Sequence, residues 1–393
     1  MDIKKSILDI IPEVIRIRRE FHAHPELSGE EIETNKMICW YLDEYGIEYK
    51  SGYAGYGVVG IVRGTQEGKT VGIRADIDAL PICENNDLEY KSVNEGVMHA
   101  CGHDAHTAIM LGAAIILKKM EHELRGNVKF FFQPQEEAIG GAEPMIKEGC
   151  LDDPKTDHAI GLHVMPNVPT GKVEIRYGKL NGNTGNVEII AKGKSGHAAY
   201  PDTAVDAIVI AAHIITALQT MVSRNISPLN SVVLTIGKIN GGEKNNIIAK
   251  EVVLSGTLRA LDMQTRNKAK EIIKRIAENV AIGLGGSAEV DFRDGYIALI
   301  NDDSVMKVVE KTAIEVVGRE NILYKEFPSL GGEDFSYFAD RIPSAFFHLG
   351  CGNEELKTTA PLHSDKFALD EDCMKTGIEM EVRTVLKLLG QNL

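Results

Sequence analysis

The sequence predicts an α/β protein with two parts: a three-layer α/β/α domain over 1–183 and 296–393, and a ferredoxin-like insert over 184–295. Three observations carry that reading. In the outer segments, short strands rich in Val and Ile alternate with helical patterns, as in a sheet covered on both faces. The middle segment changes to strand 186–191, helix 203–222, strands 231–238 and 251–259, helix 264–284 and strand 288–293, a β-α-β-β-α-β order complete in itself. At 393 residues the chain also exceeds what one core usually covers, so two domains are expected.

Residues 3–19 read as an amphipathic helix, with charges interleaved among apolar residues rather than the continuous apolar core of a signal peptide. The helix runs into F-H-A-H-P-E-L-S-G-E-E, where Pro25 and Gly29 break it before a second helix over 30–45. His22 and His24 read as structural, anchoring the Pro-Glu turn. Strands follow at 57–63 and 70–77, the second ending in R-A-D-I-D-A-L-P. Asp76 and Asp78, two apart, share one side of that strand end. There a carboxylate can orient a ligand imidazole, bind a metal, or cap the next turn, and the orienting role is favoured over direct ligation.

The densest stretch is 98–107, M-H-A-C-G-H-D-A-H-T. Thiolate and imidazole are side chains that zinc prefers, and the Cys-Gly-His spacing lets Cys101 and His103 reach one ion from a single turn. The alternative is a buried Cys beside core histidines. Asp104 is placed to cap the helix that follows, whose apolar content includes Ala105, Ala108, Ile109, Leu111, Ala113, Ile115 and Ile116. Strand 127–132 runs into Q-P-Q-E-E, so Glu136 and Glu137 lie just past its end. In a loop their side chains can diverge, one binding metal and one facing water as a general base; an adjacent glutamate pair is otherwise a solvated one. His163 ends the buried strand 158–164, where open α/β sheets gather their ligands, or is a core histidine. After the insert come helix 303–317, the loop S-L-G-G-E-D-F-S, strand 344–349 and P-L-H-S-D-K-F before a last helix to 389. His363 is the final candidate ligand.

Composition narrows the partners. A formal charge of −14 without a basic stripe argues against nucleic acid and anionic membrane. No run of about eighteen consecutive apolar residues occurs, so no span is expected. The 6 cysteines lack framework spacing, which suits a reducing compartment and makes the cytoplasm the expected location.

Taken in order, R-R-E-F-H-A-H-P-E-L, R-A-D-I-D-A-L-P, the 98–107 cluster, Q-E-E, G-H-A-A-Y-P, S-L-G-G-E-D-F and H-S-D-K-F resemble the aminoacylase metallopeptidase family over nearly the whole chain. The branch is that of bacterial N-acyl-amino-acid amidohydrolases, hippurate hydrolases and plant indole-acetyl-amino-acid hydrolases. The resemblance implies a zinc-peptidase-like catalytic domain holding two divalent metal ions per subunit, zinc or in its place manganese, cobalt or nickel. Cys101 would bridge them, His103 and His163 would complete one site, and Glu137 and His363 the other. Glu136 would be the base acting on a metal-bound water. It further implies that the insert closes over the site as a lid and pairs two subunits as a homodimer, with His197 at the oxyanion from the partner chain. Asn246 and Arg259 would hold the carboxylate of a small N-acyl-amino-acid substrate; a turn-forming Asn and a surface Arg are the structural alternatives. Ala249 and Gln135 depart from the family pattern, which leaves the acyl and amino-acid preference open. Hydrolysis of N-acyl-L-amino acids is the expected reaction. A dipeptidase or carboxypeptidase using the same metals is its rival, and a non-catalytic metal or amino-acid binding protein would have lost a ligand or the base.

Overall fold

The computed structural model describes residues 2–391; residues 1, 392 and 393, at the ends of the outer segments, lie outside that range. The described chain forms two compact units. The first runs to Leu180 and resumes over Ile300–Phe327 and from Asp334; the second comprises Asn181–Leu299 and Pro328–Glu333. The second unit thus starts and ends a few residues outside 184–295, and it also takes up part of the S-L-G-G-E-D-F-S loop.

The first unit is built on an 8-stranded mixed sheet. From edge to edge the strands are Glu48–Tyr53, Gly57–Arg63, Arg125–Gln133, Gln66–Asp76, His158–Pro169, Ser344–Gly352, Val173–Ile175 and Ile322–Tyr324. At the centre Gln66–Asp76 lies parallel to both Arg125–Gln133 and His158–Pro169, and Ser344–Gly352 lies parallel to His158–Pro169. Successive side chains of a strand point to opposite faces, so each central strand supplies two cores. Phe130, Phe132, Ile160, Leu162, Ala345 and Phe347 face the main core, shared with helices Ile3–Ala23, Ile32–Glu44, His103–Lys119, Asp303–Val317 and Cys373–Leu388. Phe131 and Phe346 face the other way, where they pack against the rings of Phe338 and Phe335, each with centroids 5.1 Å apart. The result is three layers. The strands not foreseen from sequence are short or polar ones: Glu48–Tyr53 reads E-Y-K-S-G-Y, with no apolar alternation to mark it.

Helix His103–Lys119 is buried from His103 to Leu117 without interruption. A helix apolar all round belongs inside, and this one is packed between Ile3–Ala23 and Cys373–Leu388. Its small residues permit the fit: a Cβ on Gly112 would sit 2.8 Å from Ile378 and 3.1 Å from Val14.

The second unit has a 4-stranded antiparallel sheet in the order Val232–Gly241, Glu251–Ala260, Asn183–Lys192, Ser287–Asp294. In chain order that is 2-3-1-4, the ferredoxin-like arrangement. Val187, Ile189, Ala191, Leu254 and Leu258 of the sheet pack with Ile210, Ile214, Leu218, Ile273 and Ala277 of its two helices. The first of these helices, Ala207–Thr220, starts later than its apolar pattern suggests because Asp206 caps it, accepting the Ile208 and Val209 amides at 2.8 and 3.4 Å. With its extension to Asn225 it is long and apolar enough to cross a membrane by composition, His213, Thr216 and Gln219 being the breaks that keep it from a continuous apolar run. Its inner face nonetheless belongs to the core of this unit.

Candidate metal centre

The carboxyl ends of the parallel strands converge, which is where an open α/β sheet offers a binding crevice. Gln66–Asp76 delivers Asp76 and, beyond it, Asp78; Arg125–Gln133 delivers Glu136 and Glu137; His158–Pro169 carries His163. Cys101 and His103 come from the turn entering helix His103–Lys119. That turn depends on Gly102, which has φ +83, and a Cβ there would lie 2.4 Å from Val164 Cγ2. His363 arrives on a loop, itself in the left-handed region at φ +62, with its amide donated to Ala100 O at 2.9 Å.

Three overlapping groups result. Donor atoms of Cys101, His103 and His163 lie within 4.8 Å of one another, as do those of Cys101, Glu137 and His363, and those of His103, Glu136 and Glu137. Cys101 Sγ is 3.3 Å from His163 Nε2, and Glu137 Oε1 is 3.0 Å from His363 Nε2. His103 Nε2 and Glu137 Oε1 are both buried with no hydrogen bond of good geometry, even though the second lies close to His363. An orphaned buried polar atom costs roughly 1–3 kcal/mol. His103 Nε2, aimed into a group of thiol, imidazole and carboxylate donors, fits a divalent cation of borderline softness, zinc among them.

The imidazoles are set for that task by the hydrogen bonds behind them. His103 Nδ1 faces Asp78 O at 2.9 Å and Asp78 Oδ1 at 3.2 Å, so Nδ1 carries a proton and Nε2 is the atom turned toward the other donors. His163 Nδ1–H donates to Val164 O at 2.7 Å, with the same effect. Asp76 differs from Asp78. Its Oδ1 is 2.6 Å from His106 Nδ1 and its Oδ2 2.7 Å from Arg74 Nη1, while His103 Nε2 is 3.6 Å away. His106 was passed over in sequence. Both its nitrogens are used, since Nε2 accepts the Val164 amide at 2.9 Å, so it braces the centre rather than offering a ligand atom. Its spacing of three from His103 on one helix was the available signal.

Asp104 does not cap the helix, contrary to expectation. Gly102 is the N-cap and makes no side-chain bond, while Asp104 accepts from Arg18 Nε at 2.6 Å and lies 2.9 Å from His22 Nδ1. A buried guanidinium and a buried imidazole outcompete a backbone amide for a buried carboxylate. His22 does not anchor the Pro-Glu turn but joins the buried ion pairs, also contacting Glu84 at 3.0 Å, and His24 bonds back to its own helix through Glu20 O at 2.9 Å.

The surrounding carboxylates keep protons on the donor atoms, which a cation has to displace. Burial works against a charge on His103, but Asp76, Asp78 and Glu137 outweigh it and lift its pKa to about 10. Burial, reinforced by Glu137, Glu136 and Asp76, pushes the Cys101 thiol well above its usual range. A divalent ion reverses both states, because its own charge is the largest in such a site.

His197, Asn246 and Arg259 lie in the second unit. Strands Gly196–His197 and Ile247–Ile248 pair antiparallel with His197 opposite Ile247, and the Ala198 amide donates to Asn246 O at 3.1 Å, so the first two residues are neighbours. His197 is exposed, and its Nδ1 accepts the Ala199 amide at 3.1 Å. Arg259 is half-buried, has two long 3.4 Å bonds to Gly185 O and Leu258 O, and has no carboxylate partner among the described residues. Burial lowers its pKa.

A layered α/β unit that gathers thiol, imidazole and carboxylate donors at its strand ends has the form of a metallohydrolase. The chain belongs to peptidase family M20/M25/M40, whose family model matches residues 72–387, and it is a hydrolase acting on amide bonds. It is 38% identical over 384 residues to N-acetyl-L-cysteine deacetylase of Bacillus subtilis (strain 168), covering 97% of this chain and 89% of that protein. It is 39% identical over 383 residues to thermostable carboxypeptidase 1 of Saccharolobus solfataricus, covering 95% of each. Among solved structures, a dinuclear metal binding peptidase of Bacillus subtilis, the YXEP protein, superposes with a TM-score of 0.85 at 31% identity, covering 98% of this chain and 99% of that one.

Proposed function

We propose that the protein is a metal-dependent amidohydrolase that cleaves N-acyl-L-amino acids, with acetyl or aromatic acyl groups, to a carboxylate and a free amino acid. The observation that carries this reading is the sharing of Cys101 between the His103–His163 and Glu137–His363 groups, with Glu136 beside them. Two divalent ions would be held by Cys101 with His103 and His163, and by Cys101 with Glu137 and His363. When bound, such ions lower the pKa of water and polarise a carbonyl. Glu136 accepts a proton from the attacking water and returns it to the leaving nitrogen, a role worth roughly 10² to 10⁴ in rate. Asp78 keeps His103 in the tautomer that presents Nε2. His197 supplies the oxyanion donor, and Asn246 and Arg259 hold the substrate carboxylate, the unpaired guanidinium of Arg259 being suited to it. The second unit pairs two subunits as a homodimer, and the cytoplasm keeps the cysteines, all free, reduced.

The kinship with a deacetylase supports an acyl-amino-acid substrate. The kinship with a carboxypeptidase favours a second reading, in which the acyl group is a peptide. A panel of N-acetyl, N-benzoyl and dipeptide substrates, run on protein loaded with zinc, manganese or cobalt, separates the two. For the mechanism, Glu136→Gln keeps the shape and removes the proton acceptor. It is expected to retain metal and lose turnover roughly 10² to 10⁴-fold; full activity at unchanged metal content refutes the assignment.

A further inference from the structure

The F-H-A-H-P-E-L-S-G-E-E stretch has no task so far beyond anchoring a turn, yet its second half lies against the Q-P-Q-E-E loop. Gln135, the residue before Glu136, has φ +63, a left-handed conformation that side chains other than glycine rarely adopt. Its amide donates to Glu31 Oε1 at 2.9 Å, and its side-chain amide donates to Ala54 O at 3.1 Å. On the other flank, the Glu137 amide donates to Asp78 Oδ2 at 2.9 Å, an oxygen that also accepts the Ser28 hydroxyl at 2.6 Å. Glu136 therefore sits between two peptide groups, each gripped by a buried carboxylate. Glu31 is 0% exposed, its second oxygen accepts the Gly29 amide at 2.9 Å, and it has no cationic partner among the described residues. A carboxylate buried without a counter-charge is costly. Here it is satisfied by backbone amides alone, one of them in the strained turn.

We propose that Glu31 is a positioning residue that holds Gln135 in its left-handed conformation and thereby aims Glu136 at the cluster. The inference rests on the reading of Glu136 as the base. It makes the H-P-E-L-S-G-E-E turn part of the catalytic apparatus although Glu31 touches none of the proposed ligands.

Steady-state kinetics and metal content of Glu31→Ala, Gln135→Gly, their combination and Glu136→Gln test it. Misplacement of a catalytic group by about an ångström costs up to roughly 10²-fold, so Glu31→Ala is expected to lose at least about tenfold in kcat, with KM and metal content near wild type. Gln135→Gly alone sets the reference rate against which the double variant is read. The double variant is expected to regain most of the lost kcat, because glycine adopts φ +63 unaided. Wild-type kcat in Glu31→Ala beside an inactive Glu136→Gln overturns the inference and leaves the base assignment standing, whereas an active Glu136→Gln overturns the base assignment itself. A loss that Gln135→Gly does not recover, or one accompanied by loss of metal, shows that Glu31 does not act through Gln135. If Glu31→Ala does not fold, Glu31→Gln keeps one acceptor, and the same comparison with and without Gln135→Gly decides.

Discussion

Replacing Gly102 with alanine puts the ligand-bearing turn under a load that can be worked out from the coordinates. At φ +83 an L side chain costs about 1–2 kcal/mol for the backbone alone. The new Cβ also meets Val164 Cγ2 at 2.4 Å and Phe367 Cζ at 3.4 Å. Both neighbours are 0% exposed, so the intrusion is an overpacking worth a further 1–3 kcal/mol or so. The sum is roughly 2–5 kcal/mol. The strain falls on Val164, whose carbonyl accepts from His163 and whose amide donates to His106, so displacement passes directly to both imidazoles. Urea unfolding of the chelator-treated protein is expected to show that loss, and metal competition a weaker affinity. Gly96→Ala separates the terms, since Gly96 has φ +80 and nothing within 4 Å of its Cβ; it should lose only about 1–2 kcal/mol and no metal affinity. A Gly102→Ala protein as stable as Gly96→Ala, with metal affinity unchanged, would refute the reasoning.

Other outcomes follow from the same geometry. Cys101→Ser is expected to lose metal and activity together, and peroxide should inactivate the metal-free protein faster than the loaded one, since coordination withholds the thiolate; equal rates count against Cys101 as a ligand. Burial lowers the pKa of Lys129 to about 8, although the ammonium donates to Cys150 O at 3.0 Å and to Asp152 O. The unfolded chain therefore holds more protons between about pH 8 and 10.4, and stability from this group rises with pH across that window. The urea midpoint of wild type should rise relative to that of Lys129→Met across this window, and parallel pH profiles would contradict it. Glu136→Gln and His197→Ala should each be inactive alone, yet a mixed dimer has one complete site if His197 acts across subunits. Random exchange makes roughly a quarter of all sites active, and a doubly tagged mixed dimer without activity excludes the trans arrangement.

What could be read from sequence was whatever a local pattern carries. The Cys-Gly-His spacing, the glutamates just past an apolar strand and His163 on another are each visible within a dozen residues, although that last strand runs on to Pro169 instead of ending at 164, and the structure brings them together with His363. The β-α-β-β-α-β order of the middle segment was visible for the same reason: each element has its own period. Asp104 was misjudged because its partner Arg18 lies 86 positions away, and nothing near Asp104 announces a buried cation. Asp76 and Asp78 looked equivalent because strand alternation fixes the side, not the partner. Glu31 was read only as the start of the second helix, since its bond to the Gln135 amide spans 104 positions. Long-range polar contacts leave no periodic trace.

The burial of helix His103–Lys119 divides the centre into a stiff half and a yielding half. Cys101, at the turn leading into the helix, and His103, in its first turn, are both buried and move with the interior. His363 stands on a loop with its side chain 52% exposed, where local opening is easy. Thermal fluctuation therefore reaches the cluster from one direction, and a drifting loop can release one flank while the other keeps its register. Traffic in and out of such a place has a door and a back wall.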